Sequence, residues 1–244
     1  MPWRSRPKRG LDDAMSDAAQ PIVAITNVDV SMGSSAILNR VSIRIHPGER
    51  VAVLGANGAG KSSLLRLMNG LLDPSSGNVV APAAAEQALI FQRPVLLKRS
   101  VRDNVVFALL ARRTTADVAN RVTDEALAAC ELSSLAHRYA RTLSGGEQQK
   151  LALARAWALT PKLLLADEPT ANLAPAAVHA VEMILRRMCE GGATIVLATH
   201  NRGQAKRLAT RVIFMADGEI VEDVDAKTFF TSPKSAAAIA YLDA

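Results

Sequence analysis

With 244 residues, 49% of them hydrophobic and 21% charged, the chain can fold as one large domain or two modest ones and does not read as disordered. Aromatic residues contribute only 4%, so the core must come from Ala, Leu, Val and Ile, the composition of helices packed on a buried parallel sheet. The net charge of +6 invites a nucleic-acid partner, but the basic residues are scattered and aromatic stacking platforms are scarce; no nucleic acid is expected, and a phosphate-bearing ligand or an anionic membrane surface accounts for the charge better.

In chain order, residues 1–20 are expected to be a flexible extension. They are basic at Arg4, Arg6, Lys8 and Arg9, and Leu11-Asp12-Asp13 stands where a signal peptide needs an apolar stretch; Met15 offers an alternative start. A single domain is expected over 21–244, with no separate regulatory domain. Alternation over Ile22–Val30 and Ile37–Ile45 predicts two antiparallel strands, and His46-Pro47-Gly48-Glu49 turns the chain over. Val51–Leu54 is apolar without alternation, the mark of a strand buried on both faces. A glycine-rich loop follows, then a helix over Ser63–Asn69 closed by Gly70. From Ser100 the period becomes helical, with helices to about Ala111, over Ala116–Cys130, and from Glu147 to about Leu159. Together these predict a helical insertion over roughly 96–158. Leu163–Ala166 and Thr194–Thr199 read as buried strands around a helix over Pro175–Cys189, and Asp217-Gly218 reads as a hairpin turn between Val212–Met215 and Glu219–Glu222. Cys130 and Cys189 fit no metal or redox spacing and are expected as free thiols. No apolar run approaches the roughly 20 residues that span a bilayer.

Gly55-Ala56-Asn57-Gly58-Ala59-Gly60-Lys61-Ser62 satisfies the phosphate-loop pattern G-x-x-x-x-G-K-[ST] between a buried strand and a helix. Glycines there let backbone N–H groups turn toward phosphate oxygens, and the helix start around Ser62 and Ser63 adds a favourable dipole. Lys61 is expected to reach the β- and γ-phosphates, and the Ser62 hydroxyl to ligate Mg²⁺. A glycine-rich turn without a ligand is the plain alternative, and the strand–loop–helix context argues against it.

Leu163-Leu164-Leu165-Ala166-Asp167-Glu168 puts two carboxylates at the carboxyl end of a buried strand, where α/β sheets bind ligands. An ionised carboxylate in that crevice needs a cation, and Mg²⁺ suits Asp167. Glu168 is then free to polarise the attacking water as general base. The bland reading, two acids capping a turn, weakens beside a phosphate loop.

Leu143-Ser144-Gly145-Gly146-Glu147-Gln148, continued by Gln149–Ala156, resembles the signature of the ABC ATPases. The resemblance spans about residues 22–225. It implies an α/β fold with a P-loop NTPase core, an antiparallel β subdomain and a helical insertion, hydrolysing ATP with Mg²⁺. It also implies a head-to-tail homodimer in which the Ser144 hydroxyl and the backbone of Gly145 and Gly146 meet ATP held by the other copy. Gln92 resembles the glutamine that senses Mg²⁺ and the water, and His200 the switch histidine at the γ-phosphate. Met32 stands where the family usually stacks an aromatic ring on adenine, offering a thioether contact instead. Ala171-Asn172-Leu173-Ala174 lacks the family's usual terminal Asp. The resemblance further implies an integral membrane permease, a substrate-binding protein behind it, and a peripheral location on the cytoplasmic face of the membrane. Phe91–Val105, Thr199–Ala209, and the tail Phe229–Pro233 with Tyr241-Leu242 look most like ATP-binding subunits of tungstate importers, relatives of those for molybdate and phosphate. An exporter or lipoprotein-release subunit, and a non-transport ABC ATPase, are the alternatives.

Overall fold

The computed structural model describes residues 20–33 and 35–243; the expected extension at the start of the chain, with Met15, lies outside them except for its last residue. Two alternating segments pair first: β1 (Val23–Met32) and β2 (Ser35–Ile45) run antiparallel, and β4 (Ser76–Val80) joins the other edge of β1. Inward Val23, Ile25, Val28 and Val30 are buried, so the bulges in the register keep one face apolar.

The second sheet has the strand order β5-β6-β7-β3-β8-β9. Its members are β3 (Arg50–Leu54), β5 (Gln87–Ile90), β6 (Leu163–Asp167), β7 (Thr194–Ala198), β8 (Arg211–Ala216) and β9 (Glu219–Asp225). Every neighbouring pair is parallel except β8 and β9, joined by the expected hairpin with Asp217 at φ 49° and Gly218 at φ 80°.

This sheet partitions the core. Leu164 and Ala166 of β6, with Ile195 and Leu197 of β7, face α2 (Val101–Leu110), α3 (Ala116–Ala129), α4 (Gly145–Leu159) and α5 (Pro175–Glu190). The alternate residues Leu163, Leu165, Val196 and Ala198 face α1 (Lys61–Asn69) and the antiparallel sheet. Both faces being buried explains the continuous apolar runs, and each fully buried Leu or Val contributes about 1.5–3 kcal/mol. A third cluster sets Leu54, Val212 and Phe214 against Phe229 and Ala238, under α6 (Arg202–Leu208), α7 (Ala226–Thr231) and α8 (Ala236–Asp243). Cys130 and Cys189 are free thiols as expected, and burial pushes them up to about 12 and about 11.

Two helix starts move. Helix α4 starts at Gly145 rather than Glu147, because Ser144 caps it: the Ser144 side chain accepts from the Glu147 N–H while Glu147 accepts from the Ser144 N–H. Helix α1 starts at Lys61, straight after Gly60, instead of at Ser63. Strands β4 and β5 and helices α6, α7 and α8 lie in segments to which the sequence assigned no element.

Candidate functional site

The carboxyl ends of β6, β7 and β3 are neighbours, since Asp167 pairs with Ala198 and Ala198 with Val53. Chain emerging from each strand therefore meets at one edge. Glycine is required where it leaves β3: Gly55 has φ 148°, and a Cβ there would sit 2.2 Å from the Met215 carbonyl oxygen. The β8–β9 hairpin braces the same loop, the Gly218 N–H donating to the Ala59 carbonyl at 3.2 Å.

Within the loop Lys61 is only 7% exposed, and its Nζ donates to the carbonyls of Gly55 and Ala56 at 2.8 Å each. The ammonium expected on the β- and γ-phosphates is thus held by the loop's own oxygens, as a buried charge needs acceptors. Burial pushes the Lys61 pKa down, and the nearby Glu168 and Asp167 carboxylates oppose that shift. Ala56, Asn57 and Gly58 are exposed at the loop tip, and Ser63 lies partly buried one turn into α1.

The Ser62 hydroxyl donates to Asp167 Oδ1 at 2.9 Å, and Asp167 is 8% exposed. A hydroxyl and a carboxylate side by side are hard oxygen donors, the set Mg²⁺ takes when water and phosphate complete its shell. These residues fit that ion.

Glu168 leaves the strand in the left-handed region, at φ 46°, held by its N–H to the Ala198 carbonyl at 2.9 Å. A non-glycine residue there costs about 1–3 kcal/mol and persists only where its surroundings fix it. Its Oε1 lies 2.8 Å from His200 Nδ1, and Thr199 Oγ1 donates to Oε2 at 3.4 Å. With the carboxylate ionised, His200 Nδ1 is the donor. The Asn201 N–H donates to Thr199 Oγ1 at 3.0 Å, and Gln204 Nε2 to Thr170 Oγ1 at 2.9 Å, tying α6 to the segment after Glu168.

Two expected groups stand apart from this cluster. Gln92 follows β5, next to β6, and is exposed; among the described residues no hydrogen bond joins it to Ser62 or Asp167. Met32 is 65% exposed at the end of β1. The signature lies across the sheet from α1: Ser144 and Gly145 are exposed at the start of α4, and a Cβ on Gly146 would come 2.7 Å from Ala177 Cβ of α5. Ala174 is the N-cap of α5 and supplies no side-chain bond to the helix start.

Sequence reasoning missed Thr199, Asn201, Gln204 and Thr170. Asn201 with Gln204 three residues later is a capping pattern, and it could have revealed α6.

Residues 38–171 match the family described as ABC transporter. The glutamate transport ATP-binding protein GluA of Corynebacterium efficiens is 35% identical over 88% of this chain and 95% of its own length. The tungstate uptake system ATP-binding protein TupC of Peptoclostridium acidaminophilum is 33% identical over 82% of this chain and 97% of its own. Among solved structures, cbiO1 of Clostridium perfringens, part of the ABC transporter complex cbiONQ, superposes with a TM-score of 0.80 at 28% identity, covering 87% of this chain and 92% of that one.

Proposed function

The chain belongs to the ABC transporter family as an ATP-binding, ATP-hydrolysing subunit, and from that premise we propose that it powers an importer with a separate permease. Two copies close head to tail around two ATP molecules, each site completed by Ser144, Gly145 and Gly146 of the partner subunit. The observation that carries this reading is the meeting of Lys61, Ser62, Asp167, Glu168 and His200 at one sheet edge, away from the chain's own signature.

In this reading the backbone of residues 55–63 cradles the phosphates, and Lys61 swings from its loop carbonyls to the γ-phosphate. Ser62 and Asp167 would hold Mg²⁺, which would supply neutralisation of the phosphate charge, and Gln92, which stands apart from them in this structure, would have to approach to join them. Glu168 accepts the proton of the attacking water, and His200 keeps that carboxylate aimed while facing the γ-phosphate. Met32 lies against the adenine. Phe91, Val95, Phe107 and Leu110, flanking or following Gln92 in the chain, are each exposed, and in this reading they are the side chains offered to a permease helix. No helix among the described residues is long and apolar enough to cross a membrane; in this reading the chain attaches peripherally, through that permease, on the cytoplasmic face.

The Glu168→Gln variant is expected to bind ATP, lose ~10²–10⁴-fold in hydrolysis and elute as an ATP-dependent dimer. Hydrolysis at the parental rate would remove Glu168 as the base.

For the cargo, an oxyanion delivered by a substrate-binding protein is our reading, with tungstate first. It rests on the stretches 91–105 and 199–209 and on the tungstate relative at 33% identity. The glutamate relative at 35% identity favours a second reading, amino-acid import. Uptake of tungstate, molybdate, phosphate and glutamate by a deletion strain separates them: loss of glutamate uptake alone sinks the oxyanion reading.

A further inference from the structure

We propose that Tyr241, on α8, is a positioning residue for hydrolysis: its hydroxyl holds the backbone of His200, and through it the imidazole on Glu168. The inference rests on the roles proposed above for Glu168 and His200.

Two ties run from α8 to the start of α6. The Tyr241 hydroxyl donates to the His200 carbonyl at 3.2 Å. In return Arg202 Nη1 donates to the carbonyls of Tyr241 and Leu242 at 3.1 and 2.6 Å, and its guanidinium lies 6.0 Å from the Tyr241 ring centroid. Those carbonyls belong to the last turn of α8, which has no partners of its own along the helix, so a cation there satisfies them and complements the helix dipole. The segment 199–202 is thus gripped from one side by α8, with His200 at its centre.

The grip is anchored to the phosphate loop. The Tyr241 ring packs 5.2 Å from the Phe214 ring, and Phe214 is the β8 partner of Leu54, the residue before Gly55. Met215, next along β8, presents the carbonyl against which Gly55 is packed. One short chain of contacts therefore runs from the phosphate loop through Phe214 and Tyr241 to His200. His200 is otherwise exposed, with 61% of its side chain accessible, and its loop needs an external hold if the imidazole is to stay 2.8 Å from Glu168. Burial pushes the Tyr241 pKa up; the Arg202 guanidinium opposes that shift and the Glu168 carboxylate adds to it, so the phenol remains a neutral donor beside the site.

A ring that only fills space would do as well without its hydroxyl, and this gives the test. ATP hydrolysis by the full chain is compared in the parent, Tyr241→Phe, His200→Ala and the double variant, with radiolabelled phosphate followed for hours so that slow turnover is counted. Tyr241→Phe is expected to lower kcat about three- to tenfold, the range for one lost hydrogen bond, with KM for ATP unchanged. In the His200→Ala background the same change is expected to cost nothing further, because the group it positions is gone. An unchanged kcat in Tyr241→Phe overturns the proposal. So does an equal loss in both backgrounds, which is the mark of a merely structural contact. If Tyr241→Phe is slow but His200→Ala hydrolyses at the parental rate, the switch role of His200 fails, and the positioning role with it.

Discussion

Two helix starts in this chain are led by glycine, Gly60 before α1 and Gly145-Gly146 opening α4, and they are built in opposite ways. At α1 the loop is sunk into the sheet edge: Lys61 bonds its own carbonyls, Gly218 braces Ala59, and Gly55 packs against Met215. At α4 the start is turned outward. Ser144 and Glu147 satisfy each other, and only Gly146 is pressed from below, by Ala177. The first is a loop braced along its base by its own chain, with Ala56, Asn57 and Gly58 exposed at its tip; the second is a surface patch, with Ser144 and Gly145 exposed and the Ser144–Glu147 cap closed. Their helices pack on opposite faces of the sheet, so both can act on one nucleotide only in an arrangement such as the proposed head-to-tail dimer.

That contrast can be broken by substitution. The largest effect is expected at Gly55→Ala, where the methyl must displace the Met215 carbonyl and the backbone is left-handed. A penalty of roughly 3 kcal/mol would weaken ATP binding about 100-fold, read by titration of a fluorescent ATP analogue. Gly146→Ala should separate the two regions more cleanly. Its methyl pushes α4 from α5 at a cost of about 1–3 kcal/mol and so displaces the start of α4, the surface proposed to meet a second copy. ATP is still expected to bind the monomer, while the ATP-dependent dimer and hydrolysis are lost. Equal loss of nucleotide binding in both variants would erase the distinction between the two helix starts. The smallest effect is a gain: Ala174→Asp adds the missing cap to α5 beside the signature. The extended backbone at φ −64° and ψ 151° suits a cap, so stability should rise by ~1 kcal/mol, seen as a higher Tm with ATP affinity unchanged.

Much of the catalytic edge is legible in the chain because its parts are local. The phosphate loop is eight consecutive residues between a buried strand and a helix, and Asp167-Glu168 announces itself by the four apolar residues before it. The signature reads equally well, although its helix begins two residues earlier than expected because the cap lies at Ser144. Short or exposed elements were the ones missed. Strand β4 has five residues with a glycine and no buried face, and β5 has four; each exists because a longer neighbour supplies its pairing. Helix α6 carries Gly203 in its first turn and was hidden by it, despite the Asn201 and Gln204 cap.

By itself the sequence determined the chemistry available: a phosphate loop, two acids after a buried strand, a histidine after another, and a second glycine-led helix start. Each is a run of neighbours whose pattern follows from local backbone geometry. Which of them meet was decided only by the tertiary structure. The order β6-β7-β3 sets His200 against Glu168 and Asp167 against Ser62, although 32 and 105 residues separate those pairs along the chain. It also brings Tyr241 to His200 across 41 residues, by packing aromatic rings under α8. Strand order follows from which apolar faces cover one another, a property of the whole core that no local pattern encodes.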